Sequence, residues 1–151
     1  FSMAFETGAA DSDLDGMPDW YENQFAFLDR DDELDAGGDE DHDGVSNSGE
    51  YTAGTAPDSF SSKPQVQQVT QLPNGVQIRF PTAAGRTYRV WYRNHSLNTA
   101  PGVWTEAPGV QIAGTGGVVT WVDDGTATTP SPTDPALRLR FYRFEVELTA
   151  P

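Results

Sequence analysis

Two acidic runs in this chain repeat one spacing, and that spacing leaves few ways to fold. Asp11-Ser12-Asp13-Leu14-Asp15-Gly16-Met17-Pro18-Asp19-Trp20-Tyr21-Glu22 reads D-x-D-x-D-G-x-x-x-x-x-E. Asp39-Glu40-Asp41-His42-Asp43-Gly44-Val45-Ser46-Asn47-Ser48-Gly49-Glu50 reads the same. Carboxylates at positions 1, 3 and 5 of a loop can fold inward around one hard cation, and Ca2+ takes about 6–8 oxygens at roughly 2.3–2.6 Å. Glycine at position 6 allows the bend. Position 7 (Met17, Val45) offers a backbone carbonyl, and position 9 (Asp19, Asn47) acts through water. Glu22 and Glu50 close the shell from the first turn of a following helix. The reading is two Ca2+ sites, Asp11, Asp13, Asp15, Met17, Asp19 and Glu22 in one, Asp39, Asp41, Asp43, Val45, Asn47 and Glu50 in the other. Mg2+ fits less well, because it prefers a smaller octahedral shell rich in water. Asp29, Asp31, Asp32, Glu33 and Asp35 lie between the loops, as a solvated run or as parts of a third, weaker site.

The charge distribution gives the loops their physical role. Residues 1–58 sum to −16, with Arg30 their only base, whereas residues 59–151 sum to +2. So much like charge on so short a segment repels itself and describes a disordered tail, unless counter-charge is bound. Cysteine is absent, which removes disulfides, thiolate nucleophiles and Cys-ligated zinc. Metal is then the natural staple. The scarcity of Lys and Arg argues against nucleic acid. No apolar run approaches the roughly 20 residues needed to span a bilayer. Starting at Phe1 without an initiator Met, the chain reads as a mature or excised fragment.

Local signals divide the chain into an apolar strand (1–10), the paired loops (11–58), a Ser/Pro linker (59–65) and a β domain (66–151). After the first loop, Pro18 and Asp19 suit a helix start, and Tyr21, Phe25 and Leu28 fall at i, i+4, i+7. Ser46 or Asn47 caps a second helix that ends at Gly54. Beyond residue 65 the pattern turns to period two. Val66–Leu72 and Val76–Phe80 flank Pro73-Asn74-Gly75. Thr87–Arg93 puts Tyr88, Val90 and Tyr92 on one face. Val110–Ala113 and Val118–Val122 flank a Gly-rich turn and read as a hairpin. Leu137–Leu148 changes parity near Phe141, which predicts a bulge there or a strand crossing between sheets. The fold class expected is mainly β: an antiparallel β-sandwich preceded by a small module of calcium loops and short helices.

The phrases DSDLDGMPDWYE and DEDHDGVSNSGEYTAGTAPDS resemble the paired calcium loops of thrombospondin type 3 repeats and dockerin-like modules of secreted bacterial surface proteins. Ala56 stands where that pattern has Asp, and Leu14 and His42 stand where it has Gly at position 4. The strand pattern RTYRVWY with a final RFYRFEV resembles fibronectin-III or immunoglobulin-like sandwiches. The resemblance implies an extracellular or cell-surface location. The reading is a non-enzymatic structural or adhesive module held by calcium. Phe1, Met3 and Phe5 alternate with polar or small residues, so the segment reads as a strand that pairs within its own chain, as the trailing end of a preceding domain, or as a strand exchanged with other copies of the chain. The alternative is a carbohydrate-binding or anchoring accessory of a secreted enzyme, with Trp91, Tyr92, Trp104 and Trp121 stacking on a surface glycan. His42 and His95 have no partner in the sequence that marks a catalytic or transition-metal site.

Overall fold

A computed structural model describes residues 10–95 and 102–149. The apolar strand expected at Phe1–Phe5 lies outside the described residues. The chain divides into two compact units, residues 1–63 and 64–151.

The first unit contains little regular structure. Helix α1 spans Asp19–Glu22, a 3-10 turn spans Asp35–Gly37, and helix α2 spans Asn47–Ala53. Helix α1 is shorter than the sequence periodicity predicts. Pro18 precedes it in extended conformation, and Asn23 closes it. The next amides bond three residues back, Gln24 to the Tyr21 carbonyl and Phe25 to the Glu22 carbonyl. This tightening wraps the chain on itself. Tyr21 and Leu28 thereby meet Met17 and Ala36 in one small core, flanked by Phe25, Phe27 and Tyr51. The apolar stripe is thus gathered by turns rather than by a continuous helix. Helix α2 follows the sequence signals. The Ser46 hydroxyl accepts from the Gly49 amide, and Gly54 ends the helix in the left-handed region at φ 74°.

The second unit is mainly β: two antiparallel three-stranded sheets. Strands β1 (Gln68–Leu72), β2 (Gly75–Pro81) and β5 (Val118–Asp123) form one sheet, in the order β1-β2-β5. Strands β3 (Arg86–His95), β4 (Thr105–Ala113) and β6 (Leu139–Leu148) form the other, in the order β4-β3-β6. The core lies between inward-facing residues of both sheets. Ile78 and Phe80 of β2 pack with Tyr88 of β3, and Val90 and Tyr92 pack with Ala107. Alternation on β3 follows the sequence reading.

Two local expectations are overturned. Val110–Ala113 and Val118–Val122 do not form a hairpin, because β4 pairs with β3 and β5 pairs with β2. The glycine-rich segment between them crosses from sheet to sheet and is moored to Thr82. The Thr82 hydroxyl donates to the Gly117 carbonyl at 2.9 Å and accepts from the Thr115 amide at 3.1 Å. The last strand also has no bulge at Phe141. Strand β6 pairs with β3 in unbroken register from Leu139↔His95 to Leu148↔Arg86. The irregularity falls on the other side of β3, between Arg89 and Trp91. Alternation in β6 continues because Arg140 points inward. Its side chain is 4% exposed and meets Asp123 at 2.7 Å, the Thr128 hydroxyl at 2.6 Å and Asn94 Oδ1 at 2.7 Å.

Candidate metal centre

Each loop is folded by its own acids. In the first, the Met17 amide donates to Asp15 Oδ1 at 2.7 Å and the Gly16 amide to Asp11 Oδ2 at 3.1 Å. In the second, the Val45 amide donates to Asp43 Oδ1 at 2.9 Å and the Gly44 amide to Asp39 Oδ2 at 3.0 Å. Gly16 and Gly44 sit at φ 95° and 94°, so both sixth positions need glycine's freedom. Leu14 and His42 occupy the left-handed region too, at φ 65° and 63°. The two loops are conformational copies.

These turns leave one oxygen of most acids facing inward. Carboxylate oxygens of Asp11, Asp13 and Asp15 lie within 4.8 Å of one another, as do those of Asp39, Asp41 and Asp43. Buried oxygens with no hydrogen-bond partner include Asp11 Oδ1, Asp13 Oδ2 and Asp15 Oδ2 in the first loop. In the second they include Asp41 Oδ2, Asp43 Oδ2 and Asn47 Oδ1. Glu22 and Glu50 are fully buried, and neither carboxylate oxygen of either residue finds a donor in hydrogen-bond geometry. Burying an unpaired carboxylate is among the costliest acts in folding, and proteins do it where an ion or proton compensates. Without an ion the proton is favoured. Burial, then Asp13, Asp15 and Asp35, push the Glu22 carboxyl up to about 7. Burial, then Asp41, Asp43 and Asp39, do the same to Glu50, with the Thr55 hydroxyl acting in the opposite direction.

Not every residue at a ligand position faces the cluster. Asp19 spends both oxygens on Ser12, accepting from its amide at 2.8 Å and its hydroxyl at 2.9 Å, so it braces the loop. Asn47 uses its amide nitrogen on the Asp35 carbonyl at 2.8 Å and keeps Oδ1 free. Met17 fills the small core with its side chain, and Val45 is half-buried.

Asp35 is the residue that loop spacing does not reveal. Its carboxylate lies within 4.8 Å of oxygens from Asp15 and Glu22, and its Oδ1 is buried without a partner. Its Oδ2 accepts from the Asp29 amide. Asp35 therefore joins the first cluster through shared Asp15. Its former companions do other work: Asp29 Oδ1 and Asp32 Oδ1 accept from the amides of Asp31 and Leu34 in exposed turns. The Ala36-Gly37-Gly38 run follows it. Gly38 packs so tightly that an added Cβ would lie 2.9 Å from Asn47 Nδ2.

The four aromatics expected on a glycan platform do not share a surface. Tyr92 is buried, and Trp121 packs on Tyr142 and Phe144 with ring centroids 5.7 and 6.3 Å apart. Trp91 and Trp104 both stack with the Arg143 guanidinium at 5.1 Å, and Arg93 lies 5.0 Å over Trp104.

No family model, curated protein or solved structure matches this chain. No helix is long and apolar enough to cross a membrane among the described residues.

Proposed function

We propose that residues 11–58 bind two Ca2+ ions and that the chain serves as a calcium-stabilised structural or adhesive module of an extracellular protein. The observation that carries this reading is the pair Glu22 and Glu50. Each is a fully buried carboxylate that no donor meets in hydrogen-bond geometry, at position 12 of a loop whose other acids turn oxygens toward one another. All the ligands are hard oxygens, which suits calcium better than a transition metal. Asp35 adds a carboxylate to the first site. The function is mechanical rather than catalytic: the ions cancel repulsion among the acids, and binding is coupled to folding. Extracellular calcium, near millimolar, keeps even weak loops of this type loaded. The resemblance to thrombospondin type 3 and dockerin-like loops points the same way.

Calorimetric titration of the chelator-treated chain with Ca2+ tests the reading. Two equivalents of calcium bound, with residues 11–58 gaining resistance to protease, is the expected outcome. Identical digestion with calcium and with chelator refutes it.

A further inference from the structure

We propose that a third Ca2+ sits beside the ion of the first loop, held by Asp15, Glu22 and Asp35. The inference rests on the calcium reading of the loops and adds an ion to it. Carboxylate oxygens of these three residues lie within 4.8 Å of one another. Two oxygens on opposite sides of one Ca2+ stand about 4.8 Å apart, twice a Ca–O distance of roughly 2.4 Å, so the three residues can share an ion. A second triad, Asp11, Asp13 and Asp15, overlaps this one only at Asp15. The other loop supplies the triad Asp39, Asp41 and Asp43, and among the described residues no acid from outside that loop is grouped with it.

Glu22 marks this triad as a site rather than a chance gathering of acids. It is fully buried, and neither Oε1 nor Oε2 meets a donor in hydrogen-bond geometry. The two aspartates are each fixed by one oxygen. Asp15 Oδ1 accepts from the Met17 amide at 2.7 Å, and Asp35 Oδ2 accepts from the Asp29 amide. Their other oxygens, Asp15 Oδ2 and Asp35 Oδ1, are buried with no partner. Three residues thus hold four unpartnered oxygens, all of them hard donors, and water completes a shell of about 6–8. Buried carboxylate oxygens left bare are costly, and a cation among them removes the cost.

Charge points the same way. Asp11, Asp13, Asp15, Glu22 and Asp35 carry −5 when ionised. One Ca2+ leaves −3 on the cluster, and two leave −1. No side chain of the segment does this work instead: Arg30, the only base among residues 1–58, lies beside Asp19 and Asp31 at 3.9 and 3.8 Å. Two ions that share Asp15 repel each other, so the third ion is the last to fill. The one ion per loop binds first, and the third follows at higher calcium. Its effect is mechanical. The turn at Asp35–Gly37 is bonded to α2 through Asn47 and Ser48, and an ion on Asp35 also ties that turn to the first loop.

The test counts ions on the full chain by equilibrium dialysis against Ca2+ raised into the millimolar range, and places them by anomalous difference maps of crystals grown at the saturating concentration. The wild-type chain should saturate at three ions, and Asp35→Asn at two. The map should show one peak among Asp11, Asp13 and Asp15, one among Asp15, Glu22 and Asp35, and one in the second loop. If Asp35→Asn does not fold, the wild-type count and map decide alone. Saturation at two ions, with Asp35 on the same ion as Asp11 and Asp13, overturns this inference and leaves the calcium reading standing. Three ions on Asp35→Asn also overturns it. A chain that binds no calcium overturns the calcium reading, and this inference falls with it.

Discussion

Leu14 and His42 hold a conformation that favours glycine. A left-handed backbone at a residue with a Cβ costs roughly 1–2 kcal/mol, and Asn tolerates it better than most. Leu14 is 84% exposed, so its side chain gives little back through packing. Leu14→Asn should therefore stabilise the loop by a few tenths to about 1 kcal/mol, seen as a raised melting temperature with or without calcium. Glu22 and Glu50 behave differently. Each is tolerable when an ion or proton sits beside it and unfavourable when bare. Glu22→Gln removes the buried charge while keeping the shape. In chelator this variant should melt at a higher temperature than the parent. In calcium it should melt lower and, by calorimetry, bind the first ion more weakly. A residue whose only role is packing would move both melting points in the same direction. The turns of both loops were legible from sequence because Gly16 and Gly44, and the acids that accept their amides, recur at fixed spacing. Asp35 was not, because among five acids in seven residues nothing in the pattern marks the one that turns inward.

The short elements act as mounts for these side chains. The turn at Asp35–Gly37 is bonded to α2 at three points. The Asn47 amide side chain reaches the Asp35 carbonyl at 2.8 Å, the Ser48 hydroxyl reaches the Ala36 carbonyl at 3.0 Å, and the Asn47 backbone amide reaches the Gly38 carbonyl at 2.8 Å. Asp35 thus belongs to the first cluster by its carboxylate and to the second loop by its backbone. Asp35→Asn should weaken the first site directly and the second through this mount, so calorimetry should show both affinities falling. An unchanged second affinity would mean the sites are independent. In the sandwich, the corresponding mount is Arg140 with Asp123, whose side chains are 4% and 1% exposed. Asp123 also accepts from the Tyr142 hydroxyl at 2.6 Å, and burial with that carboxylate pushes the tyrosine's pKa well above its usual range. Removing one member of a buried pair strands the other, at about 3–5 kcal/mol. Arg140→Met should destabilise the β unit by that order in denaturant unfolding followed by tryptophan fluorescence, and adding Asp123→Asn should recover part of the loss. Period-two reading missed this pair because it assigns arginine to the outer face. It missed the sheet crossing after β4 for a related reason. A glycine-rich turn is a local signal, whereas the hydroxyl of Thr82 that holds it lies 33 residues from Thr115.

Across the whole molecule the acids set how stability responds to pH. Folding without calcium raises the Glu22 and Glu50 carboxyls from 4.5 to about 7, chiefly by burial. Burial raises Asp15 and Asp35 as well. A group whose pKa rises on folding takes up a proton as the chain folds. The folded form then holds more protons than the unfolded form between 4.5 and about 7, and stability falls as pH climbs through that window. In chelator, residues 11–58 should be most resistant to protease near the acid end of the window and lose that resistance toward and above its upper end. With Ca2+ bound the slope is lost. The ion displaces the protons it competes with, so its affinity rises across the same window and levels off above it. Digestion series at matched pH, with calcium and with chelator, should therefore converge at the acid end and separate as pH rises. Parallel curves would mean that the buried glutamates face neither ion nor proton. The sandwich, which carries few acids outside its paired Asp123, should show no such separation.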